Sequence, residues 1–153
     1  ARITCKTNSL TDPKMIEDLY EASQAGVKVD LVIRGICCLR PGLEGVSENI
    51  RVVSLVGRFL EHARVFAFGE GDDEKIYLGS ADLMQRNLDR RVENVYPLRE
   101  ERHRNRIRRI LDLQISDTAN AWELRSDGSF ERLRPPEGEE PLDSQAILLE
   151  DPG

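Results

Sequence analysis

The run Val27-Lys28-Val29-Asp30-Leu31-Val32-Ile33, closed by Arg34-Gly35, decides the fold. It is short, nearly continuous in apolar residues and rich in Val, the composition of a strand buried on both faces inside a parallel sheet. Upstream, Asp12-Pro13 leads into Met15, Ile16, Leu19 and Tyr20, the spacing of a capped amphipathic helix, which Gly26 stops. A helix feeding a buried strand is the building unit of an α/β layered domain. After a loop at residues 40–49 punctuated by Gly and Pro, Ile50 to Leu55 reads as a second strand.

The pattern then changes from buried strands to hairpins. From His62 the residues alternate, with His62, Arg64, Phe66 and Phe68 on one side and Ala63, Val65 and Ala67 on the other. A turn of Gly and acids at residues 69–74 returns the chain through Lys75 to Leu78. Val92 to Tyr96 reads as a short strand ended by Pro97, and Leu98 to Gln114 as a long helix. Ala121 to Leu124 and Ser129 to Leu133, joined by Ser126-Asp127-Gly128, form a C-terminal β-hairpin. Residues 1–134 are expected to form one domain, with 135–153 an extended acidic tail packing on or beside it. No internal repeat is present.

The chain has 153 residues, a net charge of −6 and 33% charged residues, the profile of a soluble globular domain. It opens Ala1-Arg2-Ile3-Thr4 without an initiator Met, as an excised or processed chain would. No apolar run approaches the length of a membrane span. The acids crowd the end: residues 135–153 contain no Lys or Arg, while the middle is rich in arginine, so the overall acidity argues only weakly against an anionic substrate. Cys5, Cys37 and Cys38 make a poor disulfide framework and lack the spacing of a zinc site, so they are expected as small buried residues in a reducing cytoplasm.

The stretch Gly57-Arg58-Phe59-Leu60-Glu61-His62-Ala63-Arg64 is followed by Gly79-Ser80-Ala81-Asp82 and Asn87-Leu88-Asp89-Arg90-Arg91-Val92-Glu93. It places a histidine, several arginines and a Gly-Ser turn close in sequence. A histidine can carry a proton or a phosphoryl group, and arginine forks hold phosphate oxygens. His62 is therefore the candidate catalytic residue, the alternative being a ring that only packs or caps at a strand start. Arg34 ends a buried strand directly before a glycine, where ligands bind in open α/β sheets; an internal ion pair is the alternative. Arg58, Arg64, Arg90 and Arg91 are candidate anion ligands, with Asp89 and Glu93 as possible salt-bridge partners of the last two. Ser80 offers a hydroxyl beside exposed backbone N–H groups, although an ordinary helix cap explains it equally well. Six arginines on the long helix have no interleaved aromatic residue, so a solvated face is expected there rather than a nucleic-acid surface.

The runs Ile33-Arg34-Gly35-Ile36-Cys37-Cys38-Leu39-Arg40-Pro41-Gly42, Ser47-Glu48-Asn49-Ile50 and Val56-Gly57-Arg58-Phe59-Leu60-Glu61-His62 closely resemble the C-terminal domain of bacterial polyphosphate kinase of the long-chain type. Gly79-Ser80-Ala81-Asp82, Arg86 to Glu93 and Glu137-Gly138-Glu139-Glu140-Pro141 continue the resemblance across nearly the whole chain. It implies a phospholipase D-like α/β/α sandwich with a mixed sheet. It also implies reversible transfer of the terminal phosphate of ATP to inorganic polyphosphate, with Mg2+, through a phosphohistidine in the preceding domain, which is absent from this chain. The site would lie in a tunnel between two phospholipase D-like modules. Arg34 would contact nucleotide phosphates and His62 would face the phosphorylated histidine as proton donor or acceptor. Mg2+ would be held mostly by phosphates and the other domains, with no metal ligand here.

The expected partners are ATP or ADP, polyphosphate and the preceding domains of the same chain, in a full-length homo-oligomer. No nucleic acid and at most peripheral membrane association are expected, and the location is cytoplasmic. The isolated chain is expected to be inactive. The phospholipase D pattern His-x-Lys with a later Gly-Ser-x-Asn appears here as His62-Ala63-Arg64 and Gly79-Ser80-Ala81-Asp82, a departure that argues against simple phosphodiester hydrolysis. A two-fold-paired phosphodiesterase and a non-catalytic polyphosphate-docking module are the rival readings.

Overall fold

The computed structural model describes residues 1–151. The chain runs β1 (Arg2–Thr7), α1 (Pro13–Gln24), β2 (Lys28–Ile33), β3 (Ile50–Leu55), β4 (Arg64–Phe68), β5 (Lys75–Gly79), α2 (Gln85–Arg90), β6 (Val95–Pro97), α3 (Glu101–Ile115), β7 (Ala121–Leu124), β8 (Phe130–Arg132) and α4 (Ser144–Glu150). The strands form a single eight-stranded sheet in the order β6-β5-β4-β1-β2-β3-β7-β8. Only β1, β2 and β3 are mutually parallel; every other pairing is antiparallel.

The Val-rich run supplies β2, at the centre of the sheet, and its pleat explains the two-sided burial. Val29, Leu31 and Ile33 join Cys5, Ile50 and Val52 in a cluster against Met15, Ile16 and Leu19 of α1. Val32 points to the other face, where it packs with Val53 and Ile115 of α3. Leu31, Val32 and Ile33 are all 2% exposed or less. Each such side chain contributes about 1.5–3 kcal/mol on leaving water. Val65, Ala67 and Ile76 continue the α3 face with Leu111. Helices therefore cover both faces of a mixed sheet, the α/β/α sandwich expected.

Three elements differ from expectation: the short helix α2, which no sequence pattern announced, and β1 and α4. Residues before Asp12 carried no predicted element, yet β1 is a central strand between β2 and β4. Its alternation of Ile3 and Cys5 with Thr4 and Lys6 hides its burial, because polar Lys6 is only 2% exposed and is neutralised by Glu61. The tail after Pro135 is not extended throughout. Its last part is α4, capped by Asp143, whose Oδ1 accepts from the backbone N–H of Gln145 and Ala146. Ser144 is fully buried and donates through both its backbone N–H and its hydroxyl to Asp117 Oδ2, at 2.9 and 2.7 Å. An acidic composition suggested a solvated strap, but the local cap and the Asp117 anchor make a helix.

The cysteines are free. Burial pushes the Cys5 thiol up to about 12 and Cys37 up to about 11. Cys38 is exposed, contrary to the expectation of three buried residues. On α3, Arg108 pairs with Glu74 and Asp112, Arg109 with Asp151 and Arg102 with Glu100, so three of its five arginines are held in intramolecular ion pairs.

Candidate functional site

Sheet direction gathers the candidate residues at one edge. β1, β2 and β3 run parallel, so Asn8, Arg34 and Val56 leave the sheet on the same side. β4 runs against β1, so its first residue, Arg64, enters at that side, and the register pairs it with Gly79 at the end of β5. The Gly57–Ala63 loop therefore hangs over the carboxyl ends of the parallel strands, the position where open α/β sheets bind ligands.

A continuous hydrogen-bonded chain crosses this edge. Arg34 Nε donates to Asn8 Oδ1 at 2.7 Å. The Asn8 side chain and backbone N–H both donate to Asp82 Oδ1 at 2.9 Å. Arg64 closes on the same carboxylate, Nε to Oδ1 at 3.1 Å and Nη2 to Oδ2 at 3.2 Å. Its remaining nitrogen, Nη1, donates to the His62 carbonyl at 3.0 Å and faces both nitrogens of the exposed imidazole, 3.0 Å from Nδ1 and 3.4 Å from Nε2. Gly35 permits the first link, since a Cβ there would stand 2.7 Å from the Asn8 carbonyl oxygen.

Where the phospholipase D pattern has lysine and asparagine, Arg64 and Asp82 form an ion pair at 3.1 Å. Here Arg64 grips Asp82 through two nitrogens and His62 through the third, so its charge is neutralised and its geometry is spent on holding the histidine. Burial acts to raise the Asp82 carboxyl, but hydrogen bonds from Arg64 and Asn8 outweigh it and hold the group below the ordinary value of 3.8.

A prediction follows for acid stability. A depressed native pKa adds stability that is complete above the ordinary value and is lost as pH falls through the lower native one. Asp82→Asn is expected to destabilise the domain by about 1.5–3 kcal/mol near neutral pH, the scale of hydrogen bonds to a charged group. In urea titrations the gap between wild type and variant should shrink as pH falls from about 5 towards 2. A gap of constant size would mean that ionised Asp82 contributes nothing.

The arginines split by availability. Arg34 keeps two terminal nitrogens beyond its Asn8 contact and lines a cavity of about 320 Å³ with Gly57, Arg58, Phe59 and Glu61. Arg58 is exposed and lies over the Phe59 ring, 5.4 Å from its centroid. Arg90 is exposed at the end of α2, and Arg91 approaches Glu93 at 3.6 Å. Ser80 is engaged as well: its hydroxyl donates to Glu93 and accepts from the Asn94 N–H at 3.0 Å. Ser80 and Asn87 hold the Glu93 carboxyl below its ordinary range. The structure thus joins Arg34, Arg64 and His62 in one network, sets Arg58 beside them, and ties Ser80 and Arg91 to Glu93.

Sequence reasoning missed Asn8, which links Arg34 to the histidine, and Glu61, which stood next to His62 without an assigned part. A polar residue directly after an alternating strand was the available signal for Asn8. Among the described residues no set of three or more His, Cys, Asp or Glu side chains gathers as a cation site. The carboxylates nearby are engaged: Asp82 by Arg64, Glu61 by Lys6 and Glu93 by Ser80. These residues do not fit a magnesium cage.

Residues 1–145 match the family described as polyphosphate kinase C-terminal domain 2. The chain belongs to this family. It is 54% identical to a polyphosphate kinase of Pseudomonas aeruginosa over 150 residues, which is 98% of this chain and 22% of that protein. It also superimposes on the crystal structure of polyphosphate kinase from Porphyromonas gingivalis with a TM-score of 0.92 and 38% identity, covering 97% of this chain and 23% of the other. This C-terminal domain therefore spans about a fifth of the length of the polyphosphate kinases it matches. NucT from Helicobacter pylori shares the phospholipase D-like α/β fold, with a TM-score of 0.58 at 13% identity, covering 74% of this chain and 78% of that one. No helix among the described residues is long and apolar enough to cross a membrane.

Proposed function

We propose that this chain supplies one wall of the phosphoryl-transfer site of a polyphosphate kinase that moves the terminal phosphate of ATP reversibly to inorganic polyphosphate. The observation that carries the reading is the chain Arg34–Asn8–Asp82–Arg64–His62, which sets a partly free guanidinium and an exposed imidazole held by Arg64 on one edge. Phosphoryl transfer asks mainly for alignment and for cations that neutralise charge spread over the equatorial oxygens. Arg34 is suited to hold the phosphates of the nucleotide, with Arg58 beside it at the mouth of the cavity.

In the forward direction a histidine of the preceding domain takes the γ-phosphoryl group and ADP departs. The same group then passes to a terminal oxygen of polyphosphate and frees the histidine. His62, on the opposite wall, donates a ring proton to the departing phosphate oxygen or takes one back in reverse. Arg64 holds its ring for this task. Magnesium would accompany the nucleotide as the counter-ion of its phosphates. The intact protein is read as a cytoplasmic homo-oligomer whose other domains complete the tunnel. Arg90 is exposed and offers a further cation to phosphate, whereas Ser80 and Arg91 are engaged by Glu93.

The experiment uses γ-labelled ATP and magnesium, with and without polyphosphate, on this chain and on the full-length enzyme. Label is expected on the full-length protein and on its polymer, and on neither with the isolated chain. Acid-labile label on the isolated chain that disappears in His62→Ala would overturn the reading, because this histidine would then be the nucleophile.

A further inference from the structure

Gln145, in the first turn of α4, grips the His62 loop from 86 residues further along the chain. The Phe59 N–H donates to Gln145 Oε1 at 2.9 Å, and Gln145 Nε2 donates to the Phe59 carbonyl at 2.9 Å. The carboxamide thus satisfies both main-chain groups of one residue, as a paired strand would. The same Nε2 donates to Glu61 Oε1 at 2.8 Å. Glu61 Oε2 in turn accepts from Gln114 Nε2 of α3 at 2.7 Å and pairs with Lys6 Nζ of β1 at 3.2 Å. Lys6 also reaches the Ala63 carbonyl at 3.5 Å. His62 sits between the two residues so held.

Gln145 is itself fixed. It is 7% exposed, and the preceding residue, Ser144, is anchored to the fully buried Asp117. Asp117 uses its second oxygen to accept from the N–H groups of Ala119 and Asn120 at 3.0 and 2.6 Å. There is no slack between clamp and loop: a Cβ on Gly57 would collide with Gln145 Oε1. Burial lowers the Lys6 ammonium, and Glu61 opposes that effect, so a cation under α3 is retained by the loop's own carboxylate.

We propose that Gln145 is a positioning residue for the phosphoryl-transfer step: it holds residues 59–61 so that His62 meets Arg64 and the substrate phosphates at the required distance. The inference rests on the role proposed above for His62. Gln145 touches no reacting atom. Its effect is on placement, and a misplacement of about 1 Å costs on the order of 10²-fold in rate.

The test is a double-mutant cycle in the full-length enzyme with Gln145→Ala, His62→Ala and the pair together. Gln145→Ala is expected to lower kcat about 10²-fold while the KM for ATP stays close to wild type. In the His62→Ala background it should remove almost nothing more, because the loss runs through the histidine. Gly57→Ala, which pushes a methyl group into Oε1 without touching Gln145 chemically, should lower kcat in the same direction and carries the test if Gln145→Ala does not fold. A loss that is additive with His62→Ala, or a wild-type kcat in both Gln145→Ala and Gly57→Ala, would overturn the inference while leaving the role of His62 intact. A wild-type kcat in His62→Ala would overturn that role itself, and this one with it.

Discussion

In the full-length enzyme, His62→Ala is expected to reduce kcat by about 10²–10⁴-fold, the range spanned by losing a positioned general acid–base group. The ring is exposed, and its neighbours are held by Gln145, Gln114 and Lys6 rather than by the imidazole. Folding stability should therefore move by no more than about 0.5 kcal/mol, as for other surface substitutions. Steady-state kinetics in both directions, read beside a urea titration, separate the two effects. The forward and reverse reactions should suffer alike, since one group gives and takes the same proton. An unchanged kcat in either direction would exclude His62 as the proton donor.

The second large effect is expected at Arg34. Removing one preorganised charge-stabilising group from a transfer site costs about 10²–10³-fold, and Arg34→Ala should lower kcat/KM for ATP by that amount. Arg34→Lys should recover only part of it. A lysine cannot present two parallel donors to phosphate, and it also loses the Nε contact to Asn8 that aims the fork, 2.7 Å in the native protein. Arg58 makes a useful comparison. It is exposed and anchored only against the Phe59 ring, so Arg58→Ala should cost less and depend more on salt. If Arg34→Ala stays within about twofold of wild type, the free end of this guanidinium is not a phosphate ligand, and the site must be drawn elsewhere.

Much of the fold was legible because it is written in local patterns. The Val-rich run of β2 and the Met15–Tyr20 stripe of α1 each contain enough apolar residues to declare a buried face without knowing the partner. The Ser126-Asp127-Gly128 turn similarly announces its hairpin, with Gly128 at a φ of 89°. β1 was not legible, since Thr4 and Lys6 look like a solvent face. Only a carboxylate arriving from a distant loop makes that face habitable. α4 was obscured by its acidic surroundings, and its anchor, Asp117, lies 27 residues away.

The candidate site divides in the same way. The strand end at Arg34-Gly35 and the His62-Ala63-Arg64 motif are local, so residue type and spacing marked them as anion-handling chemistry. The number of free cations depended on contacts across the sheet. Asp82 takes the charge of Arg64, Glu93 takes the Ser80 hydroxyl, and Arg34 is the cation of the network that keeps donors to spare. Sequence by itself therefore marked which side chains are candidates for phosphate and most of the segments that form the layers. The tertiary structure decided which of those side chains remain unpaired and what holds them, because a charge is neutralised by whatever lies within a few ångströms, and strand pairing brings residues distant in sequence, such as Asn8 and Asp82, to that distance.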